Sequence, residues 1–231
     1  MLELNNVSAF YGNSPAIQDV SMRVEKGEFM SVLGRNGVGK TTLMRAILGL
    51  MDRVTGSIIL GDQEINDKRT DERALAGIGY VPQGRGILPK FSVRENLMLG
   101  TFANRGSAEK LYEMVFGLFP MLKEFLDRTG GNLSGGQQQQ LAIARALLTD
   151  PKVILLDEPT EGIQPNLVEQ IEKVLIDLNQ KQGMTVVLVE QNVAFARRAS
   201  QRFVLLDRGS VAVGGSVDEL TDELVHRHMA V

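Results

Sequence analysis

Residues Gly34, Arg35, Asn36, Gly37, Val38, Gly39, Lys40, Thr41 and Thr42 satisfy the pattern G-x-x-x-x-G-K-[ST] at every fixed position. The chemistry open to such a loop is phosphate binding. Its glycines let successive backbone N–H groups converge on phosphate oxygens with no Cβ in the way. A helix N-terminus behind them adds partial positive charge. Lys40 is then placed to reach β- and γ-phosphates, and the Thr41 hydroxyl to ligate Mg²⁺. A second constellation is the acid pair Asp157-Glu158 after Val153-Ile154-Leu155-Leu156. Beside bound phosphates the first acid holds the metal, and the second orients and deprotonates a water. A third is Ser134-Gly135-Gly136-Gln137, where a helix start offers another anion site. The amides of Gln83, behind an apolar run closed by Pro82, and Gln191, behind another such run, stand at two further strand ends.

Each of these groups needs an element to present it. Residues 29–33 are apolar enough for a buried strand ahead of the loop, and residues 42–50 read as a helix ended at Gly49. Residues 2–10 and 16–24 read as two strands about a turn at Gly12-Asn13-Ser14-Pro15, with Tyr11 at the first strand's end. Residues 57–60, 78–81 and 184–189 read as further strands, and 202–207 with 210–213 as a hairpin. Ser92-Val93-Arg94-Glu95 is a capping box opening a helix through Leu99. Apolar periodicity marks helices over 109–119, 121–126, 137–148 and 165–182, and Ser216 to Glu219 caps a short terminal one. Residues from about 84 to 150 therefore form an all-helical insertion in an α/β chain. Residues 1–83 and 151–231 supply the core and an N-terminal β-subdomain. Leu88, Pro89, Phe91 and Val93 either pack that helical lobe or receive a short helix of a partner.

The composition excludes several classes. The chain has 231 residues, 43% hydrophobic and 23% charged, an ordinary globular balance. A net charge of −3 gives no reason to expect nucleic acid as the main partner. Without cysteine there are no disulfides, thiolate metal sites or thiol nucleophiles. The first residues lack a basic and an apolar signal region, and no apolar run reaches the ~18–20 residues a bilayer span requires. The expectation is a cytoplasmic protein that reaches a membrane only through a partner. His226 and His228, the two histidines, lie far in sequence from every phosphate motif and read as surface residues.

Taken together the motifs resemble the nucleotide-binding subunits of ABC transporters over essentially the whole chain. Gly34 to Thr42 matches the Walker A loop, Val153 to Glu158 the Walker B strand, and Leu133 to Gln137 the unbroken LSGGQ signature. The resemblance implies a P-loop NTPase core of RecA-like type and hydrolysis of ATP with Mg²⁺. It places Tyr11 where the family stacks an aromatic on adenine, and Gln83 at the position that contacts Mg²⁺ and couples to the membrane subunit. It also implies a head-to-tail dimer in which one chain's signature covers the ATP held by the other's P-loop. The remaining partners it implies are permease subunits and, indirectly, a substrate-binding protein. A soluble family member acting on DNA or ribosomes is the alternative, but this chain has neither a coiled-coil insertion nor a second cassette.

Two departures stand out. The family's switch histidine is here Gln191, and the loop after Walker B reads Glu161-Gly162-Ile163-Gln164 where Ser-Ala-Leu-Asp is usual. Both look like the importer subunits for branched-chain amino acids and for urea and short amides. Pro-Gln-Gly-Arg at 82–85, Glu-Gly-Ile-Gln-Pro at 161–165 and the glutamines at 137–140 look most like the urea branch. The subgroup usually pairs two different ATPase subunits, so the resemblance implies a related chain as the second subunit, with a second copy of this chain as the alternative. An amide cannot exchange protons as imidazole does, so Gln191 is expected either to donate to a γ-phosphate oxygen or simply to cap the helix that follows.

Overall fold

The structure is a computed structural model that describes residues 1–103 and 107–229. Among the described residues there are nine α-helices and ten strands, the strands forming two sheets. The smaller sheet is antiparallel, ordered β2 (Ser14–Val24), β1 (Leu2–Tyr11), β4 (Arg53–Leu60), β5 (Gln63–Glu64). The larger runs β10 (Ser210–Ser216), β9 (Arg202–Asp207), β3 (Phe29–Leu33), β8 (Thr185–Glu190), β7 (Val153–Asp157), β6 (Ile78–Val81). Its strands pair in parallel from β9 to β6, and only β10 is antiparallel.

The strands of the parallel part are apolar runs because both their faces are covered. Alternate side chains go to opposite sides. Met30, Val32, Val153, Leu155, Val187 and Val189 join the core shared with the small sheet and α1 (Lys40–Ile47). Phe29, Ile154, Leu156, Val186 and Leu188 join the core shared with α6 (Gly135–Leu147), α7 (Pro165–Gln182) and α8 (Val193–Ala199). Leu155 is fully buried, so truncating it to alanine should destabilise by about 2–5 kcal/mol. Between β6 and β7 the longer elements are α3 (Val93–Thr101), α4 (Ala108–Leu118), α5 (Pro120–Glu124) and α6, with no strand among the described residues. No helix among the described residues is long and apolar enough to cross a membrane.

Parallel pairing in register brings the chemistry-bearing residues to one edge. Leu33, the last residue before the loop, lies beside Glu190, and Asp157 beside Val189. Val81, two residues before Gln83, lies beside Leu156. This carboxyl edge of a parallel sheet is where α/β proteins hold ligands.

Several elements differ from the sequence expectation. Helix α1 starts at Lys40, not at 42, because Gly39 takes a left-handed N-cap (φ 109°). A side chain at Gly39 would lie 2.8 Å from the Ile17 methyl as well as straining the backbone. Strands β4 and β10 are longer than expected. Strand β5 and helix α2 (Thr70–Ala76) were not anticipated: α2 is polar and buries only Arg73. The Arg73 guanidinium donates to the carbonyls of Ala46, Ile47, Asn66 and Lys68, so it closes the end of α1. The apolar stretch after Gln83 is divided. Val93 is wholly buried in the helical lobe, whereas Leu88 and Phe91 are exposed.

Candidate functional site

The loop between β3 and α1 is held from both sides. The Gly209 N–H donates to the Val38 carbonyl, and the Gln18 N–H to the Gly209 carbonyl. Lys40 is almost completely buried. Its Nζ donates to the carbonyls of Gly34 (2.8 Å) and Arg35 (2.9 Å) and forms an ion pair with Glu158 Oε1 at 3.1 Å. The lysine is thus folded back over its own loop onto the carboxylate.

Glu158 follows β7 directly and is a non-glycine residue at φ 47°. The left-handed region costs an L-residue roughly 1–2 kcal/mol, and such strain concentrates at functional sites. The turn is fastened by the Glu158 N–H donating to Val189 O at 2.9 Å. Two amides face its carboxylate. Gln191 Nε2 lies 3.4 Å from both oxygens, and Gln83 Nε2 lies 3.4 Å from Oε2. Gln83 donates more closely to Glu161 Oε2, at 2.8 Å. Gln191 does not cap α8, because the Asn192 side chain does so by accepting from the Phe195 N–H.

Asp157 is fully buried and accepts from Thr41 Oγ1 at 3.3 Å and from Tyr80 OH at 3.4 Å. Burial raises its pKa, opposed by the Thr41 hydrogen bond. Burial also raises that of Tyr80, with Asp157 acting in the same direction, so the phenol keeps its proton and remains a donor. Thr41 and Asp157, bonded to each other, make an all-oxygen donor set, and Gln83 lines the same cleft as Thr41. A hard cation such as Mg²⁺, which usually takes one or two carboxylates plus phosphate and water, fits it. Among the described residues no cluster of three or more His, Cys, Asp or Glu could hold a metal alone.

These groups open on a cleft of about 540 Å³ lined by Tyr11, Pro15, Ala16, Asn36, Gly37, Gly39, Lys40, Thr41, Thr42, Gln83 and Glu158. Tyr11 stands half-exposed at one end, with the Arg45 guanidinium 5.7 Å from its ring centre. The cleft therefore offers an aromatic face, a run of backbone donors, one ammonium and one carboxylate, that of Glu158, in sequence. Ser134, Gly135, Gly136 and Gln137 are not among its lining residues. Ser134 instead N-caps α6 in a reciprocal capping box with Gln137, and Gly136 packs against Leu167. Arg35 also lies outside the cleft, in a second cavity with Gln191, Val193, Asp222, Val225, His226 and Met229. His226 is thus close in space to the phosphate-binding loop, contrary to its distance in sequence. His228 is half-buried, its Nδ1 4.0 Å from Asp207 Oδ2.

Sequence reasoning assigned no role to Tyr80, Thr160, Glu161 or Glu190, which bond the recognised residues. Alternation along β6 could have pointed to Tyr80; the other three act across loops and left no local signal.

A family model described as ABC transporter matches residues 17–161. The chain is 37% identical over 214 residues to the high-affinity branched-chain amino acid transport ATP-binding protein BraG of Pseudomonas aeruginosa, covering 92% of this chain and 91% of that one. It is 35% identical to the glutamine transport ATP-binding protein GlnQ of Escherichia coli, covering 94% and 91%. It is 35% identical to the phosphonates import ATP-binding protein PhnC of Trichormus variabilis, covering 97% of each. The solved ATP-binding cassette MJ0796, a dimer in a post-hydrolysis state bound to ADP and Pi, superposes with a TM-score of 0.82 at 32% identity, covering 94% of this chain and 99% of that one.

Proposed function

The chain belongs to the ABC transporter family, and on that footing we propose that it binds and hydrolyses ATP to drive solute import through partner membrane subunits. The observation that carries this reading is the convergence of Lys40, Thr41 and Glu158 on one cleft, with Asp157 buried behind it and bonded to Thr41. The Tyr11 ring stacks on the base. The N–H groups from Asn36 to Thr42 receive the phosphates, and Lys40 leaves Glu158 to reach them. Thr41, Asp157 and Gln83 would hold Mg²⁺, which would supply neutralising charge at the phosphates. Glu158, freed from the lysine, takes the proton of the attacking water. Gln191, next to that carboxylate, donates to a γ-phosphate oxygen, leaving Glu158 as the only side-chain base.

Ser134 to Gln137 serve a second subunit's nucleotide, since they do not line this chain's own cleft. The apolar groove of about 320 Å³ between Leu48, Leu50, Ile78, Tyr80, Leu99 and Ala146 receives a permease helix. The exposed Leu88 and Phe91 are the second candidate surface for that helix. The chain thus works on the cytoplasmic face of a membrane.

For the solute, we infer a small polar molecule, either a branched-chain amino acid or urea and short amides. The loop Glu161 to Pro165 and Gln191 support this subgroup, as does the branched-chain relative; the urea branch rests on the short stretches at 82–85, 137–140 and 161–165 alone. The glutamine and phosphonate relatives define the competing solutes. Uptake by the assembled transporter in vesicles, with MgATP on the side of this chain, tests the reading. Branched-chain amino acids or urea should be taken up while glutamine and phosphonates are not. ATP hydrolysis that drives no solute would overturn the import reading.

A further inference from the structure

Glu190, the last residue of β8, is 4% exposed and stands between the two loops that carry Glu158 and Gln191. Its Oε1 accepts from Thr160 Oγ1 at 2.5 Å, two residues after Glu158. Its Oε2 accepts from the N–H groups of Gln191 (3.0 Å) and Asn192 (3.3 Å). These partners, among the described residues, are neutral donors, so the carboxylate spends both oxygens on tying one loop to the other. The Thr160 bond has the length of a charge-assisted O–H···O⁻ contact. Gln191 itself is exposed and has three rotatable bonds before its amide. Among the described residues, the hydrogen bonds that hold Gln191 are its backbone anchorage on Glu190 and the long 3.4 Å contacts of its amide to Glu158.

We propose that Glu190 is the positioning residue for Gln191, locking the amide donor and the turn behind Glu158 into one rigid unit. The proposal rests on the reading of Gln191 as a donor in ATP hydrolysis. A carboxylate suits the task because it only accepts, and two of its three partners are backbone N–H groups that can only donate. A glutamine keeps most of the arrangement: its amide oxygen faces the two N–H groups, and its NH₂ faces Thr160 Oγ1, which then accepts.

The test is a double-mutant cycle on the full chain, with MgATP turnover and the NMR signal of the Gln191 side-chain NH₂ in the nucleotide-free protein as readouts. Glu190→Ala should lower kcat roughly tenfold with KM unchanged, since a small misplacement of a catalytic group costs up to about 10²-fold. It should also move the Gln191 NH₂ signal, and both effects should be largely absent in Glu190→Gln. In a Gln191→Ala background the Glu190→Ala loss should shrink well below tenfold, to the part that acts through the turn behind Glu158, as coupled sites are not additive. Thr160→Val removes one bond and orphans no backbone donor. It should give a smaller loss of the same kind, and it carries the test if Glu190→Ala does not fold. Losses that simply multiply, or an unmoved Gln191 signal, overturn the positioning role. A silent Gln191→Ala instead overturns the donor reading on which it rests.

Discussion

At the scale of single residues, the closest charge contact in the cleft is the one that nucleotide must break. Lys40 and Glu158 are both buried and 3.1 Å apart, so in the empty cleft each satisfies the other. Phosphate therefore competes with Glu158 for the ammonium. Glu158→Gln removes the competitor together with the base. Turnover should fall by ~10²–10⁴-fold, while ATP affinity, measured by equilibrium binding, should hold or tighten. Turnover within threefold of wild type would exclude Glu158 as base. Asp157 makes a separate prediction about stability. Its pKa is raised in the fold by burial, so its contribution to stability is present at acid pH and lost as pH rises through the folded value. Asp157→Asn carries no charge at any pH. In the absence of nucleotide, its thermal midpoint should gain on wild type as pH goes from about 4 to about 7.5, while Mg²⁺-dependent turnover collapses. A midpoint difference that does not change with pH would show that the carboxylate carries no burial penalty.

At the scale of elements, what was legible followed from local pattern. The strands β3, β6, β7 and β8 announce themselves as apolar runs bounded by Gly or Pro, and α3 by the capping box at Ser92 and Glu95. Helix α2 escaped because its one buried side chain is an arginine, whose partners are carbonyls up to 27 residues away. Within the candidate cleft, the phosphate loop and the acid Glu158 were legible as local motifs for the same reasons, whereas the signature, also a local motif, lies outside it. The contacts of Gln83 with Glu161, 78 residues apart, and of Glu190 with Thr160, 30 apart, depend on tertiary placement and no spacing encodes them. The burial of the apolar residues proposed for docking was only half visible for a related reason. Periodicity alone does not reveal that Val93 turns inward while Leu50, far off in sequence, is exposed on an apolar groove. Leu50→Arg should therefore weaken co-purification with permease subunits about tenfold or more, the equivalent of losing one buried leucine contact. Nucleotide affinity should stay at the wild-type value. Loss of nucleotide binding along with assembly would instead point to a packing role for Leu50.

At the scale of the whole molecule, one fact constrains the working unit: the signature residues do not line the cleft that the other motifs build. Ser134 caps α6 and is itself exposed, free to meet a ligand presented by another chain. A two-fold, head-to-tail pair then has two composite sites, each with a phosphate loop from one chain and a signature from the other. This arrangement can be tested by complementation. Lys40→Ala removes the ammonium; Ser134→Arg places a bulky cation at the signature, with a loss of about 1 kcal/mol in helix capping. Either variant alone should be inactive in a self-pair, because both composite sites contain one damaged half. Mixed in equal amounts, half of the pairs combine the two variants, and each such pair has one site with both halves intact. Turnover should recover to about a quarter of wild type if chains exchange freely and sites act independently. If the working partner is a related but different ATPase subunit, mixing these two variants restores nothing. Recovery then requires the second chain, whose own signature covers the nucleotide held by Lys40 here.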